Sequence, residues 1–255
     1  MKKLIIVAII LVFLNSCGNT RPYYQEFKVN SISGKENSDG IYFDDSNCQV
    51  KYNFWSDGGN AGFEIFNKTD GDLILDLTKT FFVKNGYAYP YFQRRTFSNS
   101  SSTTHESTIG VSNYRLRTEY SSKIKSEVSK MNGTEYIERE FVTIPSKTKV
   151  SIVEFSLETV RYKNCDYFKY PSSSEVKPLL FKESGSPIIF KNIIVYNFGS
   201  SQNKIEHNFY VSEIVNYPEK AFMKNETKDR CGETLDTPKK VFKNIDVKRF
   251  YLKYF

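Results

Sequence analysis

The 255 residues carry 36 Lys and Arg against 29 Asp and Glu, with 39% hydrophobic and 16% aromatic side chains, the composition of a folded protein and not of a disordered one. The rings are 21 Phe and 18 Tyr with a single Trp, types favoured in strands, which argues against an all-helical body. Two His and four Cys are too few for a zinc cluster or a multi-His centre, so neither a metal nor a cofactor is expected.

Lys2 and Lys3 precede an unbroken apolar run over residues 4–14, followed by Asn15, Ser16, Cys17 and Gly18. A charged start, a short apolar stretch and a small-residue cleavage site are the layout of a secretory signal. The run is about half of the roughly 20 residues that a membrane-spanning helix needs. Leu14, Asn15, Ser16 and Cys17 resemble a bacterial lipobox, which directs diacylglyceryl transfer to the Cys and cleavage before it. Asn15 departs from the Ala, Ser or Thr usual at its position. Residues 1–16 are therefore expected to be a signal peptide, Cys17 the lipidation site and residues 17–22 a tether, with a membrane as the partner of the acyl chains. Gly18, Asn19, Thr20 and Arg21 include no acid, so they resemble neither the Asp-type inner-membrane retention signal nor the acidic surface-export signal of Bacteroidetes lipoproteins. That resemblance implies the periplasmic side of the outer membrane.

Residues 23–97 read as short strands with turns between them. Alternation over residues 48–54 predicts a strand with one buried face, and residues 57–60 (Asp-Gly-Gly-Asn) a tight turn. Strands are expected again at residues 62–66, 73–77, 80–83 and 87–92, the last two joined by the hairpin signal Asn85-Gly86. Residues 98–112 are Ser/Thr-rich and read as a loop. Tyr120, Ile124, Val128 and Met131 recur at helical spacing and predict a short helix, so residues 98–135 form a polar insert. Over residues 136–255 strands resume at 136–144 and 150–160, with Val153, Phe155 and Leu157 on one face. They continue at residues 188–190, 193–196, 209–211 and 214–215. The dense apolar run Ile193 to Tyr196 predicts a strand buried on both faces. The fold class is thus all-β, an immunoglobulin-like sandwich, one large or two tandem, with a loop and a short helix inserted.

Residues 63–70 (Phe-Glu-Ile-Phe-Asn-Lys-Thr-Asp) and 76–92, with residues 186–192 and 209–214, resemble a group of uncharacterised Bacteroidetes cell-envelope lipoproteins. The resemblance implies a bacterial lipoprotein and carries no activity.

Nucleotide-binding glycine motifs, Gly-x-Ser-x-Gly and His-Glu-x-x-His are all missing from the sequence. No catalytic residue is therefore assigned. A glycan hydrolase, the reading from another class, would need two carboxylates across a cleft, for which Asp44, Asp45, Glu138 and Glu140 are the candidates. Strand alternation instead points Glu138 and Glu140 to water. A surface adhesin is the third reading. Cys48, Cys165 and Cys231 allow one bridge and a free thiol or three buried thiols, and a catalytic Cys would have only His105 or His207 as its base. The densest aromatic and cationic patch is Tyr87, Tyr89, Tyr91, Arg94 and Arg95, whose three tyrosines on one outer face would make a platform for an anionic envelope glycan or a protein partner. Lys239, Lys240, Lys243, Lys248, Arg249 and Lys253 could meet acidic lipid head groups. Nucleic acid is not an expected partner. The leading expectation is a non-enzymatic lipid-anchored binding or scaffolding module.

Overall fold

The computed structural model describes residues 21–37, 39–99, 134–165, 167–228 and 231–255. The chain divides into one unit of Met1–Tyr91 with Phe141–Phe255 and a second of Phe92–Glu140. The larger unit begins with β1 (Tyr23–Ser31), β2 (Lys35–Asn37), β3 (Gly40–Asp44), β4 (Cys48–Tyr52), β5 (Phe63–Asn67), β6 (Leu73–Asp76), β7 (Phe81–Lys84) and β8 (Tyr87–Pro90). In the second unit β9 (Thr96–Asn99) and β10 (Thr134–Ile137) pair as an antiparallel ribbon. The larger unit resumes with β11 (Phe141–Ile144), β12 (Lys149–Ile152), β13 (Pro178–Leu180), β14 (Ile189–Phe198), β15 (Ser201–Pro218), the helical turn α1 (Glu219–Phe222), β16 (Met223–Lys228), β17 (Thr234–Phe242) and β18 (Arg249–Tyr254). Among the described residues no helix is long and apolar enough to cross a membrane.

Among the described residues two large antiparallel sheets and the separate β16–β17 ribbon build the larger unit, an all-β arrangement consistent with a sandwich. One runs β11-β6-β14-β15-β1-β18 with β13, β7 and β8 attached, and the other runs β12-β5-β4-β3-β2. Residues 23–97 and 136–255 both contribute strands to each sheet, so the two stretches complete common sheets and do not stand as tandem lobes. The core lies where rings of the two sheets meet. Phe43 stacks on His207 with centroids 3.8 Å apart, Tyr52 meets Phe209 at 4.8 Å, and Phe54 meets Phe190 at 5.6 Å. Within the larger sheet Phe27 stacks on Phe250 at 4.5 Å. Each such pair contributes about 0.5–1.5 kcal/mol beyond the area it buries.

Two local devices keep these rings in register. Asn85 and Gly86 both adopt positive φ, 48° and 84°, the hairpin geometry whose twist matches its strands. A bulge keeps β1 and β15 in phase: Lys28 faces Glu213 and Val29 faces Val211, leaving Ser212 as the extra residue. Phe27 and Val29 thereby share a face with both Val211 and Ile214.

Three expectations need correction. The strand expected over residues 136–144 is broken at residues 138–140, where Glu138 is tied down by Arg95. The strand expected over residues 150–160 ends at Ile152, and Leu157 is buried while Val153 is exposed. Ser98 and Asn99 belong to β9, while the rest of the expected loop and the helix at Tyr120 to Met131 lie outside the described residues.

Candidate functional site

The β16–β17 ribbon is attached to the body by rings. Lys224 pairs with Val241 and Asn225 with Lys240 along it, so lysines project from a two-stranded element too small to have a core of its own. Its base is held by Phe222, which stacks on Tyr24 at 4.8 Å and Tyr217 at 5.5 Å, and by Phe242, which meets Trp55 edge-on at 5.1 Å and Tyr251 at 4.8 Å. Beside this aromatic knot, Arg249 lies between Glu26 and Glu213, with Nη1 2.8 Å from each carboxylate. Burial holds the Glu26 carboxyl above its ordinary range even though Arg249 pulls it down. One guanidinium bridging two carboxylates is how an otherwise costly buried acid is tolerated.

Where the ribbon leaves the body, a cleft of about 480 Å³ opens, lined by Arg21, Glu219, Lys220, Met223, Lys224 and Lys240 among others. Four cations face a single carboxylate. Glu219 is itself engaged by Lys240, whose Nζ lies 2.6 Å from Oε1, and Lys224 reaches Glu226 at 3.0 Å. Among the described residues no carboxylate stands in ion-pair range of Arg21 or Lys220. The local field is positive and concave, which draws anions in, and a guanidinium offers paired N–H donors to a phosphate or carboxylate. The cleft is equipped to hold an anion; its one acid is neutralised by Lys240.

The tyrosine platform expected at residues 87–91 is not one surface. Tyr87 is exposed, Tyr89 is half-buried against Phe82 and Phe155, and Tyr91 is buried, its hydroxyl donating to Asn192 Oδ1 at 2.8 Å. Alternation does carry through, but the tyrosine face is the inward one: Tyr89 and Tyr91 both pack on Phe155 while Ala88 and Pro90 are exposed, so burial deepens from the turn at Tyr87 to Tyr91. Arg94 and Arg95 belong to the second unit. Arg94 is exposed with φ 55°, while Arg95 grips Glu138 at 2.5 Å.

The carboxylate candidates are divided between the two units. Asp44 and Asp45 lie in the first unit, Glu138 and Glu140 in the second. Burial works to raise the Glu138 carboxyl, but hydrogen bonds from Arg95 and from the Gln93 N–H outweigh it and hold the group below its ordinary range. A general acid needs the opposite shift. Asp45 accepts a hydrogen bond from the Tyr196 hydroxyl.

Of the cysteines, Cys48 is buried while Cys165 and Cys231 are exposed. Burial pushes the Cys48 thiol up to about 12 and the His207 imidazole down to about 4. Each group favours its neutral form, the reverse of a thiolate–imidazolium couple. His207 Nδ1 lies 2.8 Å from the Tyr52 hydroxyl under the ring of Phe43, as a core histidine does. Cys17 and His105 lie outside the described residues.

The other basic residues singled out are divided by their settings. Lys240 lines the cleft, and Lys243 donates to the Lys220 carbonyl at its edge. Lys248 reaches Glu36 at 3.2 Å, Lys253 lies over the Phe255 ring, and Lys239 is exposed. Lys220 and Lys224 are signalled in the sequence by the lysine density around residues 220–243 alone, and nothing local marks Arg21. No known protein family, curated protein or solved structure matches the chain.

Proposed function

We propose that the protein is a non-enzymatic, lipid-anchored protein of the bacterial envelope, held through Cys17 at the periplasmic face of the outer membrane, whose sandwich body is a binding module for an anionic envelope component. The observation that carries this reading is the cleft, in which Arg21, Lys220, Lys224 and Lys240 gather around about 480 Å³ with one carboxylate among them. The anchor rests on the leader and the Leu-Asn-Ser-Cys motif at residues 14–17. The ligand class follows from charge and shape: a phosphate or carboxylate carried on an envelope glycan or on a protein partner.

Two measurements test the two halves. Labelled palmitate is expected in the wild-type chain and not in Cys17→Ala, and equal labelling removes the anchor. An anionic envelope polysaccharide is expected to be retained by the wild-type protein, and Arg21→Gln with Lys220→Gln to weaken retention at least tenfold while a neutral polysaccharide is ignored by both. Equal retention of charged and neutral polymers removes the cleft as an anion site.

A further inference from the structure

Around the point where the chain enters β1, a second set of aromatic and cationic side chains is built into the surface. Tyr23 packs on Tyr170 at 5.1 Å and on Tyr254 at 5.9 Å, and Tyr170 and Tyr254 are 6.2 Å apart. Hydrogen bonds lock the loop to β18: the Tyr170 hydroxyl donates to the Phe255 carbonyl and the Tyr254 hydroxyl to the Lys169 carbonyl. Each of three cations lies over a ring, Arg161 over Tyr254, Lys169 over Tyr170 and Lys253 over Phe255, at 5.2, 4.3 and 5.4 Å. Among the described residues none of the three has a carboxylate in ion-pair range. The rings are also open to solvent: Tyr170 is 49% exposed, Phe255 61% and the neighbouring Phe168 62%.

We infer that this collar is a second contact with the bilayer, lying on anionic head groups next to the lipid anchor. A soluble polyanion would need the cations alone. Exposed Phe and Tyr rings set among cations suit the membrane interface, where amphipathic rings settle at head-group depth and Lys and Arg meet anionic lipid. Reach supports the same occupant. Arg21 follows Cys17 by four residue steps, a span of at most about 14 Å even when extended, so an anchor at Cys17 brings Tyr23 and its collar to the membrane surface. The inference rests for this last step on lipidation of Cys17.

The test uses the full chain with vesicles of phosphatidylcholine alone or with 30 mol% phosphatidylglycerol, read by flotation and by hydroxyl-radical footprinting of Tyr170, Tyr254 and Phe255. The lipidated chain floats with both vesicles, but the three rings are expected to be protected several-fold only where phosphatidylglycerol is present, and protection to fade at high salt. Arg161→Gln, Lys169→Gln and Lys253→Gln are each expected to weaken the protected state about fivefold. Should the chain fail to float on phosphatidylcholine, the anchor reading falls. The collar is then judged by salt-sensitive flotation on phosphatidylglycerol vesicles, which supports it if present and overturns it if absent. Equal footprints on the two vesicles overturn it, as does equal protection by soluble dextran sulfate, which would make the patch a polyanion site.

Discussion

Rings do different work between the sheets and on the outer face of β1, β15 and β18. Between the sheets Phe43, Tyr52, Phe54, Phe190 and Phe209 are packed with one another, and the imidazole in their midst, His207, is held neutral by burial. On the outer face Tyr24, Tyr217 and Tyr251 stand beside Glu26, Glu213 and Arg249, and the rings that cover them, Phe222 and Phe242, belong to the ribbon. The first region makes the fold; the second fastens an appendage to it. High aromatic content in a chain of this size therefore reflects two tasks, and a substitution should reveal which one a given ring serves.

The largest effect is expected in the interior. Tyr91→Ser empties a buried site and removes the partner of Asn192, costing about 4 kcal/mol in urea denaturation. Tyr87→Ser on the same hairpin is expected to change stability by under about 0.5 kcal/mol. Similar losses at both positions would return all three tyrosines to one environment. On the outer face, Arg249→Met leaves Glu26 buried next to Glu213 without its cation, and a loss of about 3 kcal/mol is expected, at the low end for broken buried pairs because part of the guanidinium reaches water. Adding Glu26→Gln should recover much of that loss; no recovery would mean that Arg249 acts through packing alone.

Acid should separate the regions further. His207 is depressed to about 4 when folded and returns to about 6.5 when unfolded, so as pH falls through this window the unfolded chain takes up the proton first. The contribution of His207 is present above pH 6.5 and is lost progressively down to pH 4, on the order of 3 kcal/mol in all. His207→Gln, which can still hydrogen-bond to Tyr52, is expected to flatten stability against pH in that interval, and an unchanged slope would assign it to the carboxylates. A smaller and more local effect is expected of Phe242→Ala. It should cost about 1 kcal/mol globally while amide exchange in β16 and β17 accelerates well beyond that in β14 and β15; uniform acceleration would make the ribbon part of the cooperative core.

Strands whose cause is local were legible in the sequence. Alternation located β4 and β5, and Asn85-Gly86 placed the turn of the β7–β8 hairpin. Local pattern failed where a distant partner decides. Alternation runs unbroken through Glu138 and Glu140, yet the chain bends there because Arg95 and the Gln93 N–H claim the Glu138 carboxylate. Arg249 read as one more surface cation and is instead the clamp on Glu26, 223 residues earlier. The cleft is the extreme case, since Arg21, Lys220 and Lys240 come from three separate segments and none carries a motif.

The position of β1 governs the order in which the molecule can be completed. Gln25 bonds Asn216, 191 residues further on, and Glu26 bonds Arg249, 223 residues further on, so the earliest strand has both its neighbours among the latest. Until β15 and β18 have been made, β1 carries two open edges and an unburied Phe27, the surface on which unfinished chains aggregate. Such long-range closure is slow by its loop entropy alone. A nascent chain of this topology must be kept apart from its copies from first strand to last, and its dependence on a holding chaperone during synthesis should exceed that of a sandwich assembled hairpin by hairpin.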